Sequence, residues 1–166
     1  MKILKTILGL AFLTFVLALA WRQVFPNDPA QIRKMLDGLA TTLSRSGKSS
    51  AVSTMLALDR VRDCLDPNVQ LTISAPGFGR VSFSDREEMV QGVAAAWTRA
   101  GGDIRVAFDD IVVTLAPDSQ SATAKLTARG TQRGASDFFL QEFKLTLAKK
   151  DSKWRVTTIT PFEVFK

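Results

Sequence analysis

Carboxylates are the groups in this chain best placed to do chemistry. Asp59 and Asp63 stand four residues apart in a stretch that reads as a helix, which puts both on one face. Arg60 and Arg62 lie between them. Asp109 and Asp110 fall side by side in the middle of a long alternating segment. A carboxylate desolvated in a pocket has its pKa raised and can take a proton, so Asp59, Asp109 and Asp110 are the candidates for a general base. Blander readings compete: a solvated helix face of mixed charge for Asp59 and Asp63, and a bulge with at least one acid exposed for Asp109 and Asp110. Gln141 has the strand parity of Phe139 and Phe143. If those rings face inward, so does its amide, as a polar contact for a ligand or as the partner of a backbone group at a strand distortion.

The missing residue types constrain the chemistry further. The chain has no histidine, no tyrosine and one cysteine, Cys64. That removes the commonest general base and the phenolic proton donor. Ser-His and Cys-His nucleophiles are excluded, as are zinc sites built on histidine or paired cysteines and any internal disulfide. No metal and no cofactor is expected. Gly77 and Gly79 flank Phe78 in a hairpin turn that lacks the lysine and following helix of a phosphate loop. The 22 basic and 16 acidic residues give +6, but they are interleaved rather than clustered with aromatics, so nucleic acid is not an expected partner. At 166 residues and 46% hydrophobic content, the chain has room for one domain with a small appendage.

That appendage is residues 1–25. Lys2 and Lys5 precede an apolar run from Ile7 to Ala20 that carries Phe12, Phe15 and Leu17. Two readings fit. A secretory signal would end at Ala18-Leu19-Ala20, before Trp21. A retained anchor would run to Phe25, with Trp21 at the interface and Arg22 reaching the head groups; a span needs about 20 apolar residues. Either way the positive flank keeps the N-terminus in the cytoplasm, and residues 26–166 form the exported domain. The retained form gives a single-pass protein of a bacterial inner membrane, held by its N-terminal helix with the C-terminal domain in the periplasm.

Along residues 26–166 the periodicity predicts two helices, two strands, a helix and four strands. Asp28 and Pro29 open the first helix, which runs to about Ser44 with Ile32, Met35, Leu36, Leu39 and Leu43 on one stripe. The second, about Ser50 to Leu65, carries Val52, Met55, Leu56, Val61 and Cys64, and Asp66-Pro67-Asn68 stops it. Val69 to Ala75 alternates as a strand, Pro76 to Gly79 turns, and Arg80 to Phe83 returns. Ser84 to Glu87 fits a capping box for a third helix with Met89, Val90, Val93 and Trp97 on its apolar face, ended by Gly101-Gly102. Four strands follow: Ile104 to Ala116, one starting near Ala122, one carrying Phe139 to Leu147, and Trp154 to Thr160. The class is α+β, with helices on one face of an antiparallel sheet.

Several of these segments together resemble the nuclear transport factor two-like, or SnoaL-like, superfamily. Ser84-Asp85-Arg86-Glu87-Glu88-Met89 is similar to its third-helix start, and Asp109-Asp110-Ile111-Val112-Val113 to its bent central strand. Ser121-Ala122-Thr123-Ala124 and Lys149-Lys150-Asp151-Ser152-Lys153-Trp154-Arg155-Val156 are similar to its last hairpins. The resemblance spans about Asp28 to Glu163 and, with the apolar beginning, suggests a membrane-anchored bacterial subgroup. It implies a cone: a strongly bent antiparallel sheet wrapped around three helices, here preceded by one N-terminal transmembrane or signal helix. Met55, Trp97, Phe108, Phe139, Gln141, Phe143 and Trp154 are then expected to line the pocket. Members include isomerases, dehydratases, hydrolases and binding modules, many of them dimers through the sheet, so fold alone does not choose a function. The expected role is a non-enzymatic, tethered domain that binds a partner protein, a second copy through the sheet, or a small apolar ligand, as an accessory subunit of a membrane complex. The alternative is an isomerase, lyase or hydrolase with an Asp base acting on a small apolar substrate.

Overall fold

The computed structural model describes residues 27–47, 49–75, 79–101, 103–132 and 139–162. The expected N-terminal span with Ile7, Phe12, Phe15, Leu17, Trp21 and Arg22, and the turn at Pro76 to Phe78, lie outside the described residues. Among the described residues no helix is long and apolar enough to cross a membrane.

Helix α1 is Asp28–Leu43 and α2 is Ala51–Cys64; strands β1 (Leu65–Ala75) and β2 (Gly79–Phe83) follow. Helix α3 (Arg86–Ala100) precedes β3 (Ile104–Leu115), β4 (Ser121–Gln132), β5 (Phe139–Lys150) and β6 (Lys153–Pro161). The six strands form one sheet in the order β2-β1-β6-β5-β4-β3. All neighbours are antiparallel except β1 and β6, which pair in parallel. That parallel pair joins the early hairpin to the late meander and completes the sheet.

Local chemistry sets the helix ends, one residue away from the expected positions in two cases. Asn27, not Asp28, caps α1 by accepting from Ala30 N. Asp28 occupies the first turn instead, and its carboxylate turns into the interior. The box that starts α3 is shifted by one: Asp85 accepts from Glu88 N at 2.8 Å, and the Glu88 carboxylate accepts from Ser84 N at 2.9 Å. Gly101 closes α3 at φ +59°, a left-handed conformation that favours glycine. Asp151 and Ser152, both with positive φ, form the two-residue turn between β5 and β6.

The core lies between the concave face of the sheet and the helices. Ile32 and Leu36 from α1, Val61 from α2 and Met89 and Val90 from α3 pack against Leu126, Leu145, Leu147 and Val156 of the sheet. Helix α2 departs from its expected face. Val52, Met55 and Leu56 are exposed, at 70%, 67% and 56%. Val61 follows Val52 by 61 − 52 = 9 positions, two and a half turns at 3.6 residues per turn, so the two sit on opposite sides. Only the Val61 side meets the core. Strand β1 begins at Leu65 rather than Val69, with Pro67 inside the irregular stretch between its two pairings to β6.

An interrupted β3 bends the sheet. Asp109 pairs with Thr127 and Val112 with Lys125, so three steps on β3 oppose two on β4. The extra residue is a bulge, and Asp110 within it takes φ +54°, a conformation that Asp tolerates better than most residues. Phe108 before the bulge and Ile111 after it both pack against the core.

Candidate functional site

Where the sheet curls over the helices, a cavity of about 280 Å³ remains. Leu39 and Leu43 come to it from α1, Met89 and Val93 from α3, and Phe108, Ala128, Phe139 and Phe143 from the sheet. Its walls are apolar, and Arg129 is the one charged residue among its described lining. The Arg129 guanidinium is tied to Asp109. The Phe139 and Phe143 rings stack with centroids 6.2 Å apart on the β5 wall. The volume falls near the small end of ligand pockets, which run from about 300 Å³ upward.

The structure separates the expected pocket residues into two groups. Phe108, Phe139 and Phe143 line the cavity. Met55, Trp97, Gln141 and Trp154 do not, each for a physical reason. Met55 sits on the outer side of α2 and is exposed to solvent. Trp97 turns its indole N–H to Leu43 O at 3.1 Å and lies under the Arg45 guanidinium, 5.0 Å from the ring. Gln141 donates to Phe162 O at 2.7 Å and to Glu142 O, which is the backbone-satisfying role of its two possible ones. Trp154 donates its indole N–H to Asp28 Oδ1 at 3.1 Å. A buried indole needs an acceptor, and an apolar cavity offers none.

None of the three candidate bases reaches the cavity. Asp59 is on the exposed side of α2, paired with Arg62. Arg62 also holds Glu87 of α3 at 3.0 Å, and that hydrogen bond keeps the Glu87 carboxyl below its ordinary range. Asp109 pairs with Arg129 across β3 and β4. Asp110 is exposed on the outer face of the sheet, in a shallow pocket with Lys125, Thr127, Glu142 and Phe162. Cys64 is half-buried, and burial first, then Asp63, pushes its thiol pKa up and keeps it in the unreactive form. Among the described residues no three His, Cys, Asp or Glu side chains come together as a metal site.

The buried acids are ones that the spacing argument passed over. Asp28 is 3% exposed and accepts from Lys149 Nζ at 2.8 Å as well as from Trp154. Asp66, equally buried, has Lys150 Nζ 2.5 Å away and accepts from Asn68 N at 3.2 Å. Burial pushes the Asp66 carboxyl up, but Lys150, the Asn68 N–H and Arg155 outweigh it and hold the group below the ordinary carboxylate range. Both acids anchor the β5–β6 hairpin to the start of α1 and of β1, away from the cavity lining. The consecutive lysines Lys149 and Lys150 were the available signal: two adjacent strand residues face opposite ways, and each needs its own counter-charge.

Sequence comparison alone finds no match, neither to a family profile nor to a curated protein. Structure comparison finds the same fold repeatedly. A nuclear transport factor two-like protein with a cystatin-like fold from Novosphingobium aromaticivorans superposes with TM-score 0.63 at 13% identity, over 86% of each chain. A cystatin-like-fold protein of unknown function from Nostoc punctiforme gives TM-score 0.62 at 13% identity, over 82% of this chain and 91% of that one. A structure named a putative scytalone dehydratase, also from Novosphingobium aromaticivorans, gives 0.59 at 13% identity, over 81% and 83%. The domain therefore has the nuclear transport factor two-like, or cystatin-like, fold: three helices and a curled six-stranded sheet. At that identity the likeness concerns the fold alone.

Proposed function

We propose that the domain is a non-enzymatic binding module that holds a small apolar ligand in the concave cavity. The carrying observation is the character of that cavity. Its walls are hydrocarbon, and the acids that could have served as bases are exposed or paired outside it. Such a site selects by shape and apolar area, at about 25 cal/mol per Å² buried, and has no group to move a proton. The alternative, a lyase, isomerase or hydrolase, draws on the fold shared with the protein named a putative dehydratase, but it needs a carboxylate in the wall. The test is titration with a neutral apolar dye such as phenylnaphthylamine, compared between the wild type and Ala128→Phe or Val93→Phe. Either substitution puts a ring into the cavity. Saturable enhancement should be lost in both; equal enhancement in all three proteins sinks the reading.

With residues 1–25 retained as an anchor, the module is held at the periplasmic face of the membrane, where tethering raises its local concentration near a membrane partner. The apolar run between Lys2 and Trp21 supports this. Intact mass spectrometry of membrane-extracted protein tests it: a species running from Met1 to Lys166 is expected, and one starting at Trp21 removes the tether. A second copy or a protein partner would meet the outer face of the sheet, where Val112 and Leu140 stand 57% and 66% exposed. Sedimentation of wild type beside a Val112→Lys, Leu140→Lys double variant tests that contact: the expected result is a species heavier than the monomer that the double variant loses.

A further inference from the structure

At the end of α1 lies a second hollow, of about 210 Å³ and of chemistry opposite to that of the apolar cavity. The end of α1, the segment that follows it, the first turns of α2 and Trp97 enclose it. Two guanidiniums line it, those of Arg45 and Arg60, and its described lining holds no carboxylate. This sets it apart from the other arginine sites described, where Arg62 and Arg129 are each neutralised by acids.

Arg45 is held ready rather than consumed. Its guanidinium stacks over the Trp97 ring at 5.0 Å and gives one N–H to Thr54 Oγ1 at 2.6 Å, which leaves the rest of its donor fork free of an acidic partner. Its backbone is pinned as well, exchanging hydrogen bonds with Ile104 at 2.7 and 2.8 Å. Arg60 makes no ion pair or hydrogen bond among the described residues. The side chains of Ser53 and Thr54 are turned back onto Ser50 O, so the hollow's strong donors are the two guanidiniums. The positive end of the α2 dipole adds to the same field.

We propose that this hollow is a binding site for a phosphate-type oxyanion, held between Arg45 and Arg60. A planar guanidinium fork matches tetrahedral oxyanions, and no carboxylate in the hollow's described lining occupies either fork. The oxyanion comes free in solution or as the head group of an anionic lipid. The ridge Val52, Leu56, Arg60 runs at four-residue spacing along α2, with the first two exposed, so an apolar tail has a path from the same site.

The experiment follows the Trp97 indole N–H resonance of the full chain, assigned by its loss in Trp97→Phe. Inorganic phosphate is one titrant and monomeric short-chain phosphatidylglycerol another; matched chloride and short-chain phosphatidylcholine are the controls. A saturable shift with phosphate identifies the free ion, and a shift with phosphatidylglycerol alone identifies the lipid head group. In either case Arg60→Gln, at an exposed position, should weaken binding roughly 10-fold. Arg45→Gln should weaken it further. Added sodium chloride should weaken binding in the wild type more than in either variant. The proposal is overturned by no shift with either titrant, by an equal shift with the controls, or by titration curves that Arg45→Gln and Arg60→Gln leave unchanged.

Discussion

Two hollows adjoin the end of α1, and they are built on opposite principles. On the sheet side, hydrocarbon from both layers surrounds about 280 Å³, and every indole and amide expected there is turned to a polar partner elsewhere. In the second, about 210 Å³ is bordered by hydroxyls, two guanidiniums and the Trp97 ring. Leu43 and Trp97 form the partition: the Leu43 side chain faces the first hollow, while its carbonyl receives the Trp97 N–H. The contrast teaches where selectivity resides. The first hollow can discriminate only by volume and apolar area, whereas the second discriminates by charge and is sensitive to salt.

The sharpest way to break the contrast is to remove a wall of the apolar hollow. Phe143→Ala deletes a 7%-exposed ring and its stack on Phe139 and should lower the unfolding free energy by about 3–4 kcal/mol in a denaturant titration. It should enlarge the first hollow without moving the Trp97 resonance that reports on the second. Next in size is the acid anchor, which belongs to neither hollow. Asp66→Asn should cost about 1–2 kcal/mol at neutral pH, since Lys150 keeps half its exposure to water. The Asp66 pKa is lowered on folding, so its stabilisation is full above the unfolded value of about 4 and is lost as pH falls through the lower folded value. Wild-type and Asp66→Asn melting temperatures should therefore converge as pH drops below about 4.

A smaller effect is expected at the α3 wall. A Cβ at Gly92 would stand 2.7 and 2.8 Å from Phe83 ring atoms, so Gly92→Ala forces the ring aside. Overpacking of about 1–3 kcal/mol against a helix-propensity gain of about 1 leaves a net loss of about 1 kcal/mol, read by thermal melting. Smallest of all is Arg60→Gln. Removing an exposed, unpaired charge should change stability by less than about 0.5 kcal/mol, although it lies in the second hollow. A large loss there would mean that the guanidinium supports the fold.

The sequence made some of this legible and hid the rest for identifiable reasons. Adjacent Asp109 and Asp110 inside an alternating strand can only be placed by a local break, and the bulge is there. The capping residues of α3 were readable because side-chain oxygens three residues before backbone N–H groups leave few options, and the error was a single position. Helix α2 misled because its apolar residues fall on two opposite faces, and spacing does not say which face meets the core. Trp97, Trp154 and Gln141 had the right parity or face for the interior, but their N–H groups needed acceptors that lie outside the apolar cavity, so tertiary hydrogen bonds decided their direction. The parallel pairing of β1 with β6 brings together Leu71 and Ile159, too far apart in sequence for any local pattern to announce.

Asp28 carries a mechanical consequence. It directly follows the cap of α1, and it is locked to Lys149 and Trp154 on the last hairpin. Force applied at the start of α1 meets this junction first. It is passed at once to β5 and β6, two central strands of the sheet, instead of peeling α1 away turn by turn. The junction is thus a strain relief: tension is shared with the middle of the sheet before it can unwind α1.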